Sequence, residues 1–349
     1  MKVLYYIPSL ETVYAARFIY EGYKDAFLAL GHEFETFTAG EDLSKALDEF
    51  KPDIFISSLN RYTIKFLDLE LLKKKSEEGL VRFTQISPWK KQNNMYAGSG
   101  VSEDPLLAGI IKSGLGGDIY FHWLEQDDPA MEGFTEDTGY KFETILLAAN
   151  KNKYFYEYDE KYKSDISYVG SYLPSKRRFL KKHLIPLMKK YDVKVYGSDW
   201  TLADRLSGHV QKIGQFLNID LLKKVRKLKL PIEDERKVYS SSTISLNIHE
   251  EHQRLFGSDF NERTFKIIAS GGFEICDNVK ALRKYFDETE LVIAENTQDW
   301  FDKIDYYLKN PEERTSIIEA GRKKVLSEHT YENRVRQIEK IYGDFRGMN

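Results

Sequence analysis

Residues 165–178 read Asp-Ile-Ser-Tyr-Val-Gly-Ser-Tyr-Leu-Pro-Ser-Lys-Arg-Arg. The segment Asp165–Val169 predicts a buried strand, Gly170 ends it, and the periodicity that follows predicts a helix over Lys176–Tyr191. A glycine at this place lets a ligand approach the backbone, and the first amides of a helix carry partial positive charge. The stretch therefore predicts a βα unit that binds an anion such as phosphate.

The same alternation of short apolar strands and amphipathic helices runs through both halves of the chain. The predicted strands of the first half are Lys2–Ile7, Phe34–Thr38, Ile54–Ser57, Val81–Thr84, Asp118–Trp123 and Thr144–Asn150. Those of the second half are Asp165–Val169, Val193–Tyr196, Thr243–Ile248, Phe273–Asp277 and Leu291–Ala294. This order predicts right-handed βαβ units and parallel sheets. We therefore expect an α/β protein with two doubly wound sheets whose carboxyl ends face each other across a ligand-binding cleft.

The length of 349 residues also favours two domains, at roughly 100–200 residues per domain. A charged aromatic linker at 151–164 separates the two runs of strands. We expect an N-terminal domain at 1–160, a C-terminal domain at 161–330, and a last helix at 331–349 that packs back on the first domain.

The composition excludes several classes of protein. A net charge of −3 gives no reason to expect nucleic acid as a partner. The single cysteine, Cys276, excludes a disulfide framework and fits a reducing compartment, so the expected location is the cytoplasm. The basic segment 221–230 carries Leu and Val on one helical face, and we favour a solvated insertion over a membrane-binding helix. The membrane contact that we expect is at most peripheral.

Several polar residues sit where they could bind a diphosphate. Gly170, Ser171 and Arg177 surround the first βα turn, and arginine makes bidentate contacts with phosphate oxygens. The predicted helix begins with three cations, Lys176, Arg177 and Arg178, for which a solvated basic face is the alternative explanation. A second predicted helix begins at Asn261 and carries Arg263 and Lys266, which could point to the same ligand, although a plain crossover helix explains the pattern as well.

His249 ends another predicted strand, and a ligand role and a structural role are equally acceptable for it. The cluster His249-Glu250-Glu251-His252 follows a strand rather than lying on a regular helix. Its two histidines are therefore poorly placed to hold one metal ion. We expect no metal site.

Two residues of the first half are candidates for a general base. His122, in Phe121-His122-Trp123, lies at the end of a predicted strand, and Glu11 lies in the loop after the first strand. Imidazole and carboxylate are the common bases of enzymes near neutral pH.

Together these segments resemble the CgeB-like (spore maturation) branch of the GT-B glycosyltransferases, with a group 1-type C-terminal domain. The resemblance rests on Val238–His249, on Asn261-x-Arg263-x-Phe265, on Ala269–Phe273 and on 321–334. It covers the second half well, whereas the first half matches only in its alternation of strands and helices.

The resemblance implies two Rossmann-like domains, of which the second binds a nucleotide-sugar donor such as a UDP-sugar. The first would bind the acceptor, which is a glycan, a protein or a lipid-linked molecule, and no further cofactor is implied. By position, the residues that would grip the diphosphate are Gly170, Ser171, Arg177 and Arg263. Those expected near the base are Tyr196, Gly197 and a loop around Gly214.

Two positions depart from the family pattern. Lys266 stands where relatives carry a glutamate that accepts hydrogen bonds from the donor ribose, and a lysine cannot accept them. Gln85 replaces an aspartate and cannot act as a base, so an inverting reaction would depend on His122 or Glu11. A retaining reaction, in which the departing phosphate takes the acceptor proton, is slightly favoured. A non-transferring, epimerase-like enzyme and a catalytically degenerate nucleotide- or glycan-binding protein remain the alternatives.

Overall fold

The computed structural model describes residues 1–11, 15–91, 100–226 and 229–347, which form two compact units. The first unit contains Met1–Leu146, Val210–Val225 and the residues from Glu332 onward, and the second contains Leu147–His209 and Arg226–Tyr331. The boundary expected near residue 160 thus lies at residue 146. The physical reason is that the aromatic segment after it is core material of the second unit, where Tyr154 is 3% exposed.

Helices and strands alternate along both halves, as the sequence predicts. The elements of the first half are β1 (Lys2–Tyr6), α1 (Ala15–Ala29), β2 (Glu33–Phe37), α2 (Leu43–Phe50), β3 (Ile54–Leu59), α3 (Leu69–Glu77), β4 (Val81–Ile86), α4 (Pro105–Lys112), β5 (Ile119–His122), α5 (Phe134–Thr138) and β6 (Phe142–Thr144). Those that follow are β7 (Ser164–Val169), α6 (Pro174–His183), β8 (Val193–Tyr196), α7 (Leu202–Leu217), α8 (Asp220–Lys223), α9 (Ile232–Ser241), β9 (Ser242–Asn247), α10 (Glu251–Phe256), α11 (Arg263–Ala269), β10 (Glu274–Asp277), α12 (Leu282–Tyr285), β11 (Val292–Ala294), α13 (Thr297–Lys309), α14 (Pro311–Glu328) and α15 (Tyr331–Arg346).

The first unit is built on a six-stranded parallel sheet in the order β2-β1-β3-β4-β5-β6. Val3 of the inner strand β1 lies opposite Phe34 in β2 and Ile54 in β3. Aspartates fix the starts of several helices: the side chains of Asp42 and Asp68 accept hydrogen bonds from first-turn amides of α2 and α3.

The second unit is built on a five-stranded parallel sheet in the order β11-β10-β9-β7-β8. Ile166 of β7 lies opposite Val193 in β8 and Ile244 in β9. Apolar side chains of α6 and α13, such as Leu180 and Trp300, pack against this sheet and are at most 1% exposed. The two parallel α/β sheets expected from the sequence are therefore present.

Three local predictions are wrong. The strand expected at Thr144–Asn150 is displaced, because β6 ends at Thr144 and the residues after it run to an isolated bridge between Ala149 and Thr330. The basic helix expected at 221–230 is limited to α8, whose end at Lys223 is followed by a turn; residues 227 and 228 lie outside the described residues. The loop expected around Gly214 is part of α7.

None of the helices within the described residues combines the length and the apolar character needed to cross a membrane.

Candidate functional site

The carboxyl end of the second sheet contains a topological switch point. The chain passes from β7 outward to β8 and then returns to the other side of β7 as β9. In open α/β sheets, ligands bind at such a point, next to the carboxyl ends of the two strands. A ligand at this point would be surrounded by four segments: the loop after β7, the start of α6, the end of β9 and the start of α11.

Two glycines bring the loops after β7 and β8 into direct contact. The amide of Gly170 donates to the carbonyl of Tyr196 at 2.7 Å, and Trp200 Nε1 donates to the carbonyl of Gly170 at 3.0 Å. Gly197 has a φ of +135°, and a Cβ atom there would lie 2.3 Å from the Gly170 carbonyl oxygen. A Cβ atom on Gly170 would lie 2.5 Å from the hydroxyl of Tyr168. Both positions therefore require glycine.

Lys176, in the first turn of α6, is a buried lysine without an ion pair. Its exposed fraction is 4%, and in the described part of the chain it forms no salt bridge, although Glu250 and Asp277 attract it from a distance. Burial, followed by repulsion from Arg263, lowers the pKa of Lys176 to about 7. A buried ammonium group is costly unless an anion accompanies it. The site is thus prepared for a negatively charged ligand.

Arg263 is positioned by a chain of hydrogen bonds. Its Nη1 donates to Asn247 Oδ1 at 2.8 Å, and Asn247 Nδ2 in turn donates to Glu274 Oε1 at 2.9 Å. Thr264 Oγ1 donates to the same Glu274 oxygen at 3.0 Å, and burial raises the pKa of Glu274 to about 7. The guanidinium carbon lies 5.9 Å from the ring centroid of Tyr168, the second-last residue of β7. Arg263 therefore has a fixed orientation but, within the described residues, no carboxylate partner.

His249 is completely buried at the end of β9 and is held by Asp277 at the end of β10. Asp277 Oδ1 accepts hydrogen bonds from His249 Nδ1 at 2.7 Å and from the His249 amide at 3.0 Å. Arg254 binds the other Asp277 oxygen at 3.1 Å. Burial lowers the pKa of His249, and nearby Lys176 lowers it further, against the opposing effect of Asp277. His249 Nε2 is buried without a hydrogen-bond partner.

Asn261 provides a second unpaired nitrogen. Its Oδ1 accepts the amide of Arg263 at 3.0 Å, while its Nδ2 is buried without a partner. Buried polar atoms are paired in most proteins, so each exception needs an explanation. Glu250 and Asp277 act on Lys176 from a distance, and Glu235 and Glu274 act on Arg263, but in the described structure neither cation forms an ion pair. The free Asn261 amide near these two cations is the arrangement expected of a site that binds an anion rich in oxygen atoms.

The sequence grouped Lys176 with Arg177 and Arg178 without distinguishing it from them, and it did not predict Asn247 or Asp277 as site residues. For Lys176 a signal was present: it lies four residues before Leu180 and seven before His183, and these three are the buried residues of α6. A lysine at a position that the helix pattern places on the buried face needs an anion nearby, whereas exposed cations such as Arg178 do not. Asn247 and Asp277 reach the site through pairing of distant strands, which no local pattern shows.

Arg177 and Ser171 lie at the same end of the sheet but are less enclosed. The Arg177 guanidinium lies 5.5 Å from the ring centroid of Tyr172, and its Nε donates to the Tyr172 carbonyl at 3.4 Å. Ser171 is partly exposed between Gly170 and Tyr172. Tyr196 ends the edge strand β8, with its ring 6.0 Å from that of Tyr162.

Lys266 is engaged elsewhere. Its Nζ lies 2.6 Å from Glu262 Oε1 and 3.7 Å from Glu235 Oε2, and it lies 5.1 Å from the ring centroid of Tyr154. This buried cluster satisfies the ammonium group, so Lys266, unlike Lys176 and Arg263, is paired with carboxylates. Glu262 Oε2, in contrast, is buried without a partner.

The remaining predicted residues belong to the first unit. Gly214 lies in α7, where a Cβ atom would be 2.5 Å from Leu222 Cβ, so its role in the structure is close helix packing. His122 Nδ1 accepts the amide of Leu124 at 2.9 Å, and burial lowers the pKa of His122 to about 3. This imidazole is a poor general base. Glu11 is exposed, 3.8 Å from Lys224 Nζ.

Within the described residues, no group of three or more His, Cys, Asp and Glu side chains is arranged to hold a metal ion. In the cluster considered from the sequence, His249 Nδ1 binds Asp277, whereas His252 Nδ1 lies 4.0 Å from Glu250 Oε2. The two histidines thus have different partners.

Residues 176–340 match the family described as glycosyl transferase-like. The match covers slightly less than half of the chain. The spore protein CgeB of Bacillus subtilis (strain 168) is 22% identical over 198 residues, which are 53% of this chain and 56% of that protein. The matched region therefore spans little more than half of this curated relative. The match supports the resemblance to CgeB-like proteins.

Solved structures of glycosyltransferases share the fold of the whole chain. Sucrose-phosphate synthase of Thermosynechococcus elongatus superimposes with a TM-score of 0.64 at 11% identity, covering 100% of both chains. Alr3699/HepE of Anabaena, solved in complex with UDP and glucose, gives a TM-score of 0.61 at 9% identity, covering 98% of this chain and 99% of its own. The chain therefore has the GT-B fold.

Proposed function

We propose that the protein is a glycosyltransferase that binds a nucleoside-diphosphate sugar at the switch point of its second unit. The observation that carries the proposal is Lys176, a buried and unpaired ammonium group next to Arg263. Two linked phosphates supply the negative charge that both cations lack. The glycosyl transferase-like domain and the UDP complex of a protein with the same fold support this choice of ligand.

In the proposed reaction, the bond between the sugar C1 and the diphosphate oxygen breaks, and a bond between C1 and an acceptor oxygen forms. Lys176 and Arg263 stabilise the charge that develops on the departing diphosphate. Asn261 Nδ2 is free to donate a hydrogen bond to a phosphate oxygen. His249 Nε2 donates one only in the imidazolium form, because Nδ1 carries the proton of the neutral ring that Asp277 accepts. These side chains supply the positive charge, so we propose that no metal ion is required.

The acceptor proton needs a destination. The low pKa of His122 and the exposure of Glu11 make both weak choices for a base. The retaining course, in which a departing phosphate oxygen takes the proton as the new bond forms, needs neither. We keep this course as the proposal.

Glu262 offers an acceptor for a ribose hydroxyl. It lies one turn before Lys266, its Oε1 binds the Lys266 ammonium group, and its Oε2 is free. Position 266 cannot accept a hydrogen bond, whereas this carboxylate can. Glu262 then replaces the glutamate that the resemblance implies at position 266.

Calorimetric titration with UDP, GDP and ADP tests the proposal. We expect one of these to bind the wild-type protein, and Lys176→Met to weaken it roughly tenfold to 150-fold, the equivalent of about 1.5–3 kcal/mol for a hydrogen bond to a charged group. The matched control is Arg178→Met, which removes an exposed cation from the same helical turn and leaves the affinity unchanged. Failure of all three nucleotides to bind the wild-type protein contradicts the proposal.

A second measurement separates transfer from binding alone. Incubation with a panel of nucleotide sugars and candidate acceptors releases nucleoside diphosphate only if transfer or hydrolysis occurs. Binding without release in every mixture favours the epimerase-like or degenerate alternative. Release that persists in EDTA is expected if no metal ion takes part.

A further inference from the structure

Part of the first unit exposes its apolar side chains and buries its polar ones. This part is Val210–Val225, the end of α7 together with α8, and we name it the hairpin surface. Seven large apolar side chains of the hairpin surface are between 37% and 79% exposed. They are Val210, Ile213, Phe216, Leu217, Ile219, Leu221 and Val225.

The buried residues of the same segment are polar. Gln211 is fully buried, Gln215 is 9% exposed and Lys223 is 6% exposed. Gln211 Nε2 donates to the carbonyl of Lys223 at 2.9 Å, and Lys223 Nζ donates to Asn218 Oδ1 at 2.6 Å. A surface helix of a globular protein normally turns its apolar face inward. Here Gln211 Nε2 also donates to the carbonyl of Glu11 at 3.3 Å, which holds the polar face against the rest of the first unit and leaves the apolar face outside.

Close packing fixes the two helices of the hairpin surface against each other. A Cβ atom on Gly214 would lie 2.5 Å from Leu222 Cβ and 2.8 Å from the amide nitrogen of Lys223. Rotation of α7 that buried Ile213 or Leu217 would break this contact and the hydrogen bonds of Gln211. The exposed apolar area is therefore a stable property of the unit, and areas of this kind mark interaction sites.

The hairpin surface carries charges of both signs, and its negative ones, the exposed Asp220 and the neighbouring Glu11, are paired with lysines. Lys65 Nζ lies 3.6 Å from the ring centroid of Phe216 and donates to the Phe216 carbonyl at 3.0 Å. Lys212 is exposed. In the part of the chain that the structure describes, neither lysine forms an ion pair, whereas Lys223 and Lys224 are paired with Asp220 and Glu11.

We propose that the hairpin surface docks on the interface of an anionic membrane. The apolar side chains enter the boundary between headgroups and acyl chains, and Lys65 and Lys212 contact the anionic headgroups. A second copy of the chain is a poorer occupant, because a two-fold contact would bring the same unpaired lysines together. If the proposed glycosyltransferase function holds, which this step requires, the acceptor is lipid-linked.

Co-sedimentation with vesicles tests this proposal. One set of vesicles is phosphatidylcholine alone, and the other contains about one third phosphatidylglycerol. We expect the wild-type protein to bind the anionic vesicles more strongly, with weaker binding as salt is added. The double variant Ile213→Glu/Leu221→Glu lowers the bound fraction by about tenfold or more. The matched control is Leu28→Glu, which changes a 49% exposed leucine on α1 and leaves binding unchanged.

Three outcomes overturn the proposal. The first is wild-type protein that stays in the supernatant with both kinds of vesicle. The second is an equal loss of vesicle binding in Leu28→Glu and in the double variant. The third is a dimer, seen by sedimentation velocity, that Leu221→Glu dissociates. UDP titration of the same variants keeps the two proposals distinct. If the protein binds vesicles but no nucleotide, only the transferase function is refuted. If it binds a nucleotide but no vesicles, only membrane docking is refuted.

Discussion

The two sheets share one strand order up to the fifth strand, yet the switch points at their carboxyl ends differ in charge balance. In the second unit, the ends of β7 and β9 lie with Lys176 and Arg263, which have no anionic partner in the described structure. His249 Nε2 and Asn261 Nδ2 are also unpaired there. The charge balance at this switch point therefore favours a negatively charged ligand.

The corresponding strand end in the first unit is closed by its own side chains. After β3, Asn60 Oδ1 accepts the amides of Tyr62 and Thr63, both at 3.0 Å. Arg61 donates to the two oxygens of Asp104 at 2.6 and 2.9 Å. The comparison teaches that strand order creates the place for a ligand, while the balance of charges decides whether an anion binds there.

The largest effect is expected from a substitution that pairs the charges of the second switch point internally, as they are paired in the first. Lys176→Glu replaces a cation that repels Arg263 with a carboxylate that attracts it. We expect UDP affinity to fall at least about 100-fold, because one attraction is lost and a repulsion is added. Calorimetry measures the loss. Arg178→Glu makes the same change of charge at an exposed site, and an equal loss there would contradict the role of Lys176.

Removal of the second cation gives the next largest effect. Arg263→Ala is expected to weaken UDP binding by about 1.5–3 kcal/mol, the range for hydrogen bonds to charged groups. The Asn247–Glu274 contact remains in this variant, so thermal unfolding serves as the control for the fold. Unchanged affinity in calorimetry removes Arg263 from the site.

The low pKa of Lys176 predicts how binding depends on pH. The pKa of about 7 in the free protein rises when phosphate binds, because the anion favours the ammonium form. Affinity for UDP is therefore full just below pH 7 and falls by up to about tenfold per pH unit above it. Titrations across this range check the slope. Lys176→Met should show no such slope, and an identical profile in both proteins contradicts the assignment.

Glu262→Gln tests recognition of the ribose. We expect UDP to bind about 1 kcal/mol more weakly, the typical contribution of one hydrogen bond. Pyrophosphate, which has no ribose, should bind the variant and the wild-type protein equally. Loss of affinity for both ligands would mean that the substitution disturbs the Lys266 cluster instead.

The smallest effect is expected in the first unit. Arg61→Ala should leave UDP affinity unchanged, because Asp104 already satisfies this arginine. An exposed ion pair contributes at most about 1 kcal/mol, so chemical denaturation should show a loss of stability within that limit. A large loss of UDP affinity in this variant would mean that the first switch point also binds the nucleotide.

Much of the fold follows from the sequence because its signals are local. Strands at Lys2–Tyr6 and Ser164–Val169 were predicted within one or two residues from apolar runs that end at Pro or Gly. The helix expected to reach Tyr191 ends at His183, since its amphipathic pattern continues through a turn that only packing reveals.

The site was predicted in part. Arg263 and His249 follow from their positions at the ends of elements, and the structure brings both to the same end of one sheet. Lys266 has the right position in the sequence, yet Glu262 and Glu235 satisfy its charge. No local pattern shows which side chain will be its partner, because Glu235 comes from another helix.

The order of apolar and polar residues determined by itself that the chain forms two parallel α/β sheets, since strand and helix periodicity act over a few neighbouring residues. Tertiary structure alone decided which charges stay unpaired and which face of α7 is exposed. Charge balance and burial are sums over side chains far apart in the sequence. That is the physical reason why the burial of Lys176 without an ion pair and the exposed hairpin surface became evident only in the folded chain.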